Sequence, residues 1–489
     1  MSENIKRNPI SRVGEYIRDL FRKSPIGRLG EGGRMYNDYW FESEIKKIRY
    51  TDRINRVEDI DSYLRREHDI LSRPNFEFKE KTFETAKIIL QTLRSIVKFH
   101  TGYICSNPVS ITGEKELVSY LNKIYKKGNY SKIDMEVAKD LITYGDAFEY
   151  VYLDENDNIK SKIIKNRDSY PIYNGNGAYT NFVESWKDLD TNKMHYIVYY
   201  PEKVEIYEER NLIDTKVNLT GLPIWYSSMD KTKYDKFGDP FILDLIPLMN
   251  TIEMLLSKLD DAVTTLSLSP LGVVSGQRID SSIPDNIVGT VLNLEDGSTF
   301  QYASATMDRE SIKLELDYII QQFYAIACIP SSLLGNSNIS NVSETSLGLL
   351  YQQCDNFCKQ YIASMQEGFS KRMEYMRKLI EIKGMTIDDD VFDTIAISFN
   401  VNRPVDNKSD MENMKMQYEC GAMSRQTIID KSPYTTDTAL ELQRIEDEAK
   451  KDAAKQETIS PVVDTENQDA DTEENVSEEQ DIEVDDKVN

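Results

Sequence analysis

The sequence predicts an α+β protein, mainly helical, made of several subdomains. Three observations carry this expectation. Apolar residues recur at helical spacing over long stretches, as in Leu248, Ile252, Leu255, Leu256, Leu259 and Val263. Between residues 146 and 228 the pattern changes to two-residue alternation in short, tyrosine-rich runs, which is how half-exposed strands read. A chain of 489 residues is too long for one ordinary core, and 40% hydrophobic content suffices for two to four.

The elements follow in order. Residues 1 to 75 are charged and rich in Tyr and Arg, and read as short helices and loops. Phe83, Ala86, Leu90, Leu93, Val97 and Ile104 fall on one face and predict a helix that ends at Asn107-Pro108. Helices are expected over Lys115 to Tyr125 and Lys132 to Tyr144, the second closing at Gly145. "DAFEYVYLDENDNIKSKIIK" alternates on both sides of Glu155 to Asn158 and predicts a hairpin. "SYPIYN", "HYIVYYPEKVEIYEE" and "LPIWYSS" add strands whose tyrosines cover sheet faces.

From Pro247, placed in a first helical turn, the period is helical again. A mainly extended insert covers Leu271 to Met307, with "VGTVLNLEDGSTFQY" turning at Asp296-Gly297. A second helix carries Ile312, Leu316, Ile319, Ile320, Phe323 and Ile326. The small polar residues of "SSLLGNSNISNVSETS" then separate it from a long stripe running from Leu347 to about Ile382. Gly368 inside that stripe predicts a kink, since glycine weakens a helix. "TIAISFNVNRP" reads as a strand, and "KSDMENMKMQYECG" and "TDTALELQRIEDEAKKDAAK" as helices.

Net charge is −24, and half of it sits in Glu457 to Asn489, which holds 13 acids and one lysine. This tail has no aromatic residue and is expected to be disordered. Such a balance argues against a protein that grips nucleic acid by neutralising phosphates, though not against one that lets it slide. No run approaches a membrane span, and the first residues show no apolar signal segment. Cys105, Cys328, Cys354, Cys358 and Cys420 are few and odd in number, which suits a reducing compartment. Cys354 and Cys358, one helical turn apart, read as buried core thiols. His68, His100 and His195 offer no matching ligand pair by spacing, so no metal site is expected.

Enzymatic signatures are missing. There is no Gly-x-x-x-x-Gly-Lys-Ser/Thr, Gly-x-Ser-x-Gly, His-Glu-x-x-His or Asp-x-Asp-x-Asp-Gly sequence. Asp260-Asp261 reads as a solvated helix face. No catalytic residue and no cofactor is expected. A peripheral structural or scaffolding protein with an acidic recruiting tail stays open on the residues alone. So does an enzyme acting on nucleic acid, which would need a metal or nucleophile cluster.

Several stretches in this order decide further. An apolar helix runs into "SNPVSI" (106–111), and "YGDAFEYVYLDENDNIK" (144–160) and "SYPIYN" follow. "FGDPFILDLIPLMNTIEMLLSKLDD" opens a long helix, and "SFNVNRPVDN" precedes "MSRQTIIDKSPYTTDTALELQRIEDE". Over Lys81 to Lys450 the chain resembles the portal proteins of tailed double-stranded DNA bacteriophages, in the branch of long-tailed phages of Gram-positive hosts. It departs where Pro247 replaces a frequent Asp, where Gln426 replaces a frequent Glu, and where "NSNISNVSETS" lacks a Ser-Gly-x-Ala pattern.

The resemblance implies a portal fold of wing, two-helix stem, small β-containing clip and helical crown. An N-terminal helical and loop region would cover 1–80, and the first part of the wing 81–240. Stem helices would span 241–267 and 308–329 around a clip at 268–307. A tunnel loop at 330–345 would precede a long helix and return to the wing (346–405), a crown (406–455) and the tail (456–489). It also implies a homo-oligomeric ring, normally of twelve subunits, at one capsid vertex. Double-stranded DNA would pass through its channel. The terminase large subunit, head-completion adaptors, and the major capsid and scaffolding proteins would be its partners. Assembly would occur in the host bacterial cytoplasm and the ring would end in the virion, with no membrane involved. Asn336, Ser337, Asn338, Asn341 and Ser343 would line the channel, and Val273, Val291 and Leu294 would make clip contacts.

Overall fold

The structure is a computed structural model. It describes residues 39–457 except 79–80, 235, 269–270, 276–295, 304–308, 331–343, 402–406, 433 and 436–437. Helix outweighs strand, 53% to 19%, so the α+β, mainly helical expectation holds. The described residues form two compact units, one ending at 401 and the other beginning at 407.

In the first unit, α1 (Trp40–Glu44) and α2 (Ile48–Leu64) precede the short pair β1 (Phe76–Phe78) and β2 (Lys81–Phe83). Helix α3 (Thr92–Cys105), strand β3 (Ser110–Thr112) and helices α4 (Lys115–Gly128) and α5 (Tyr130–Tyr144) follow. Asn129 makes the left-handed joint between α4 and α5. Gly145 ends α5 at φ +77°, with its backbone packed on that of Gly238; a Cβ at either would overlap the other chain segment.

The β region is antiparallel throughout. Strands β4 (Asp146–Leu153), β5 (Ile159–Ile164) and β11 (Ile224–Ser227) form one sheet in the order β11-β4-β5. The expected hairpin is there: Asp154 accepts the Asn156 and Asn158 backbone N–H groups at 2.9 and 2.8 Å, fixing the turn. The Asn158 N–H first, then the Lys160 ammonium and the Asn156 N–H, hold its carboxyl down at about 2. Strands β6 (Ser169–Tyr173), β7 (Tyr179–Lys187), β8 (Met194–Tyr199), β9 (Lys203–Glu208) and β10 (Asn211–Val217) make a five-stranded meander. Tyr196, Tyr199 and Tyr207 are buried against it, so the tyrosines do cover sheet faces. Helix α2 docks here through Arg53, whose buried guanidinium meets Asp146 at 3.3 Å and the Asn166 and Ser169 carbonyls at 3.0 Å.

Next come α6 (Ile242–Leu268), the strand pair β12 (Leu271–Ser275) and β13 (Thr299–Ala303), and α7 (Arg309–Ile326). Helix α6 starts five residues before Pro247, which therefore lies inside it and not in its first turn. Residues 296–297 do turn, but β13 pairs with β12; the partner expected just before the turn lies outside the described residues. Helix α8 (Glu344–Ile382) has 39 residues, a length of about 58 Å. A short helix α9 (Asp389–Phe392) leads to β14 (Ala396–Ser398), which pairs with β3. The main core gathers α3, α5, β4, the first turns of α6, the end of α7 and most of α8.

The second unit is helical: α10 (Asn407–Glu419), α11 (Arg425–Lys431) and α12 (Thr438–Glu457). Ser424 caps α11 by accepting the Thr427 N–H, and Thr438 bonds Asp430 at 3.0 Å. Residues 458–489, most of the acidic tail, lie outside the described residues.

One sequence expectation fails outright. The helix expected from Phe83 begins only at Thr92. Residues 84–91 form neither helix nor strand, and the backbone N–H groups of Thr85, Ala86, Ile88 and Leu90 donate to side chains instead. Gly368 also has a different role from the one expected. A Cβ there would stand 2.1 Å from the Tyr226 ring, and α8 continues unbroken past it, so the glycine admits the ring.

Candidate functional site

The element order α6, β12, β13, α7 is a helix that leads into a strand pair and returns as a helix. Its root is buried, and both helices carry exposed apolar residues farther out. Ile242, Leu245, Met249 and Ile252 of α6 sit in the main core, as do Phe323 and Ala327 at the end of α7. Farther out, Val263 on α6 is exposed, and so are Leu314 and Tyr318 on α7, at 72% and 62%. Leu314 and Tyr318 are four residues apart and so lie on one helix face.

A strap holds the root. The backbone N–H groups of Leu90, Ile88 and Ala86 donate to Glu253, Ser257 and Asp261 of α6 at 2.7, 3.0 and 2.7 Å. Alternate residues of an extended chain repeat every ~6.6 Å, and every fourth residue of a helix every ~6 Å. The two registers therefore match over three bonds. Arg73 closes the far end, reaching Asp261 at 2.6 Å and the Ala86 carbonyl at 3.1 Å. His68 closes the near end. Its Nδ1 lies 2.8 and 2.9 Å from the two Glu253 oxygens, and the Gln91 amide nitrogen faces its Nε2 at 3.1 Å. A carboxylate only accepts, so Nδ1 carries a proton; an amide nitrogen only donates, so Nε2 accepts. Asp261 is thus engaged, contrary to the solvated face expected of it, while Asp260 is exposed.

Helix α8 carries a second buried charge cluster. Arg372 is fully buried, with Nε and Nη2 on Glu149 of β4 at 2.9–3.0 Å and Nη1 on Asp134 of α5 and the Tyr125 hydroxyl. The Phe369 ring lies 4.0 Å from its guanidinium carbon. Burial works against the Arg372 charge, but Glu149, Tyr226 and Asp134 outweigh it and hold its pKa well above the ordinary value. Burial lifts the Asp134 carboxyl to about 6 against the opposing pull of Arg372. The cluster fixes α8 to the β4 sheet.

A third cluster was not visible in the spacing of the histidines. Cys354 and Cys358 are buried, as expected, but His100 of α3 lies beside them, with ligand atoms of all three within 4.8 Å of one another. The two thiols influence each other, which lowers the Cys354 pKa and raises that of Cys358.

The sequence over residues 43–455 matches the family described as "Phage portal protein, SPP1 Gp6-like". The chain belongs to that family. The family is a structural one, found in virions, and its members are portal proteins of the head–tail connector. No curated protein matches the chain. Among solved structures, the neck of an empty GTA particle computed with C6 symmetry is similar, at 8% identity and a TM-score of 0.44 over 72% of this chain and 88% of that one. The virion of a native gene transfer agent particle gives 10% and 0.42 over 68% and 87%. The neck of the native particle computed with C12 symmetry gives 9% and 0.42 over the same shares.

Of the residues expected to act, Asn336, Ser337, Asn338, Asn341, Ser343, Val291 and Leu294 lie outside the described residues. Val273 is in β12, paired with Gln301 of β13. No described helix is long and apolar enough to cross a membrane.

Proposed function

We propose that this portal protein assembles as a closed ring of about twelve copies, with neighbouring stems in contact. Membership of the portal family over residues 43–455 carries the reading. The exposed pair Leu314 and Tyr318 supports it, because an apolar face on a helix far from its own core asks for a neighbour. The α6–β12/β13–α7 unit is then the stem with its clip, and residues 330–345 the tunnel loop. The ring is a passage for double-stranded DNA during packaging and ejection. The clip docks the terminase and later the head-completion adaptor. We read the phage as a long-tailed one of a Gram-positive host.

Duplex DNA carries a negative charge about every 1.7 Å of its axis. A lysine-rich loop repeated around a ring would hold it, and an aspartate-rich one would repel it. Asn and Ser exchange weak hydrogen bonds with phosphate and water and favour no register. Light scattering and negative-stain imaging of the purified chain test the ring. The expected particle has a central hole and a mass near twelve times 56.5 kDa. A monomer at micromolar concentration across several salts would overturn the proposal.

A further inference from the structure

The His100, Cys354 and Cys358 cluster has the composition and the surroundings of a metal site. All three side chains are essentially inaccessible, at 0%, 1% and 0% exposure. Cys358 Sγ lies 3.9 Å from His100 Nδ1. Ligands of a tetrahedral zinc ion at ~2.3 Å for sulfur and ~2.1 Å for nitrogen stand roughly 3.5–3.8 Å apart. Contraction by less than about an ångström per pair would close the observed triangle onto an ion.

The histidine is already oriented for that task. Its Nε2 lies 2.8 Å from the Ala327 carbonyl, which only accepts, so Nε2 carries the proton and the Nδ1 lone pair faces the sulfurs. A ring N–H tied to a backbone carbonyl is the usual outer support of a metal-bound histidine. The rings of Phe99, Phe241 and Phe357 surround the imidazole at 5.2, 6.0 and 4.4 Å, which keeps water out.

A further sulfur stands next to the carbonyl that holds His100. Cys328 is half-buried and directly follows Ala327 in the chain. It ends α7 in a left-handed conformation, φ 53°, with Cys328 N–H bonded to Ala325 O and Ile329 N–H to Tyr324 O. Glycine is preferred at that cap position, so the cysteine is kept there at a conformational cost. Its Sγ now faces the Ile326 carbonyl at 3.6 Å, a contact it would leave to join the cluster.

We propose that His100, Cys354, Cys358 and Cys328 form a Cys3His site for a tetrahedral, thiophilic divalent cation of the zinc class. The ion would tie the end of α7 to α8 and α3, and so fix both helices that flank residues 331–343. The test uses the full chain, expressed in zinc-supplemented medium and purified under reductant without chelator. Elemental analysis is expected to find about one zinc per chain. Cobalt exchanged into the protein is expected to give thiolate charge-transfer bands and the visible bands of tetrahedral coordination. C354S/C358S should lower the metal content at least ~10-fold. C328S, at a half-buried position, should weaken cobalt binding by a similar factor. C420S should change nothing. A wild-type protein that is metal-free and spectrally silent with cobalt would overturn the site. Full metal content in C354S/C358S, or in C328S, would overturn it too, as would a Cys328–Cys354 disulfide in place of bound metal.

Discussion

Removing the strap's acceptors one at a time should loosen residues 84–91 in proportion to what each acceptor supplies. Ser257→Ala deletes a neutral hydroxyl 3.0 Å from the Ile88 N–H. A neutral hydrogen bond is worth about 1 kcal/mol net, a roughly fivefold change in the strap's opening equilibrium. Asp261→Ala removes a charged acceptor that serves Ala86 at 2.7 Å and pairs with Arg73 at 2.6 Å. Bonds to charged groups are worth about 1.5–3 kcal/mol, so opening should increase roughly 10- to 150-fold. Glu253→Gln keeps an oxygen for Leu90 but turns an amide donor toward His68 Nδ1–H, so two donors meet in a buried site. Its effect should equal or exceed that of Asp261→Ala. Amide hydrogen exchange followed by mass spectrometry on the 84–91 peptide reads these factors directly. The order expected is wild type slowest, then S257A, then D261A and E253Q, with exchange in the buried part of α8 unchanged. If S257A and D261A both exchange residues 84–91 within twofold of wild type, the strap is not held by these side chains.

Gly368→Ala should lower the melting temperature, because the new Cβ would stand 2.1 Å from the Tyr226 ring and overpacking costs about 1–3 kcal/mol. Helix propensity alone predicts the opposite sign, so a rise would refute the packing account. Arg372→Met should destabilise by about 3–5 kcal/mol in chemical denaturation, since it leaves Glu149 and Asp134 buried without their cation. Burial lifts the Asp140 carboxyl to about 7, so the folded chain holds that proton more tightly than the unfolded one. The carboxylate therefore costs stability above pH 7 and nothing below about pH 4, and Asp140→Asn should raise the melting point at pH 8, by about 2–4 kcal/mol of stability, but not at pH 4. Changing Asn336, Asn338 and Asn341 together to Asp should leave rings intact and procapsids unfilled, because repulsion repeated around the ring acts within a Debye length of ~8 Å; packaging at the normal rate would refute channel lining.

The long elements were legible because period alone specifies them. The stripes of α6, α7 and α8 fix helices, and the alternation from Asp146 to Ile164 fixes a hairpin. The strap was not legible in the same way. Phe83, Ala86, Leu90 and Leu93 satisfy a helical period, yet Ala86, Ile88 and Leu90 equally satisfy a period of two, and Thr85, Ile88 and Ile89 are β-branched residues that favour extended backbone. What decides between them is the row of acceptors on α6, some 170 residues away. Two cluster residues did leave a signal. Arg372 falls on the same stripe as Met365, Phe369 and Met376, and Glu253 beside Ile252 and Leu256. A charge on an apolar stripe must be paired if it is buried. The third cluster left none: His100 and Cys358 are 258 residues apart, and local spacing tests only local ligand pairs.

The α6–β12/β13–α7 unit is fixed at its root, and by unlike means. At its root, α6 is packed through Ile242, Leu245, Met249 and Ile252 and then strapped at Glu253, Ser257 and Asp261. Helix α7 is free along Leu314 and Tyr318 and becomes buried only at Phe323 and Ala327. Hydrophobic packing alone permits a helix to slide or roll, since it is non-directional. Hydrogen bonds donated by one extended chain to three successive turns do not, because a one-residue shift would break all of them. The root is thus held in register and the outer part is left to whatever neighbours supply. In the proposed ring, a stem that meets identical stems needs that division. On that proposal its angle is set within the subunit by the strap, and its apolar face is completed between subunits. On this account a strap variant should alter how stems meet before it unfolds the chain, and the exposed pair Leu314 and Tyr318 is where the change would be felt.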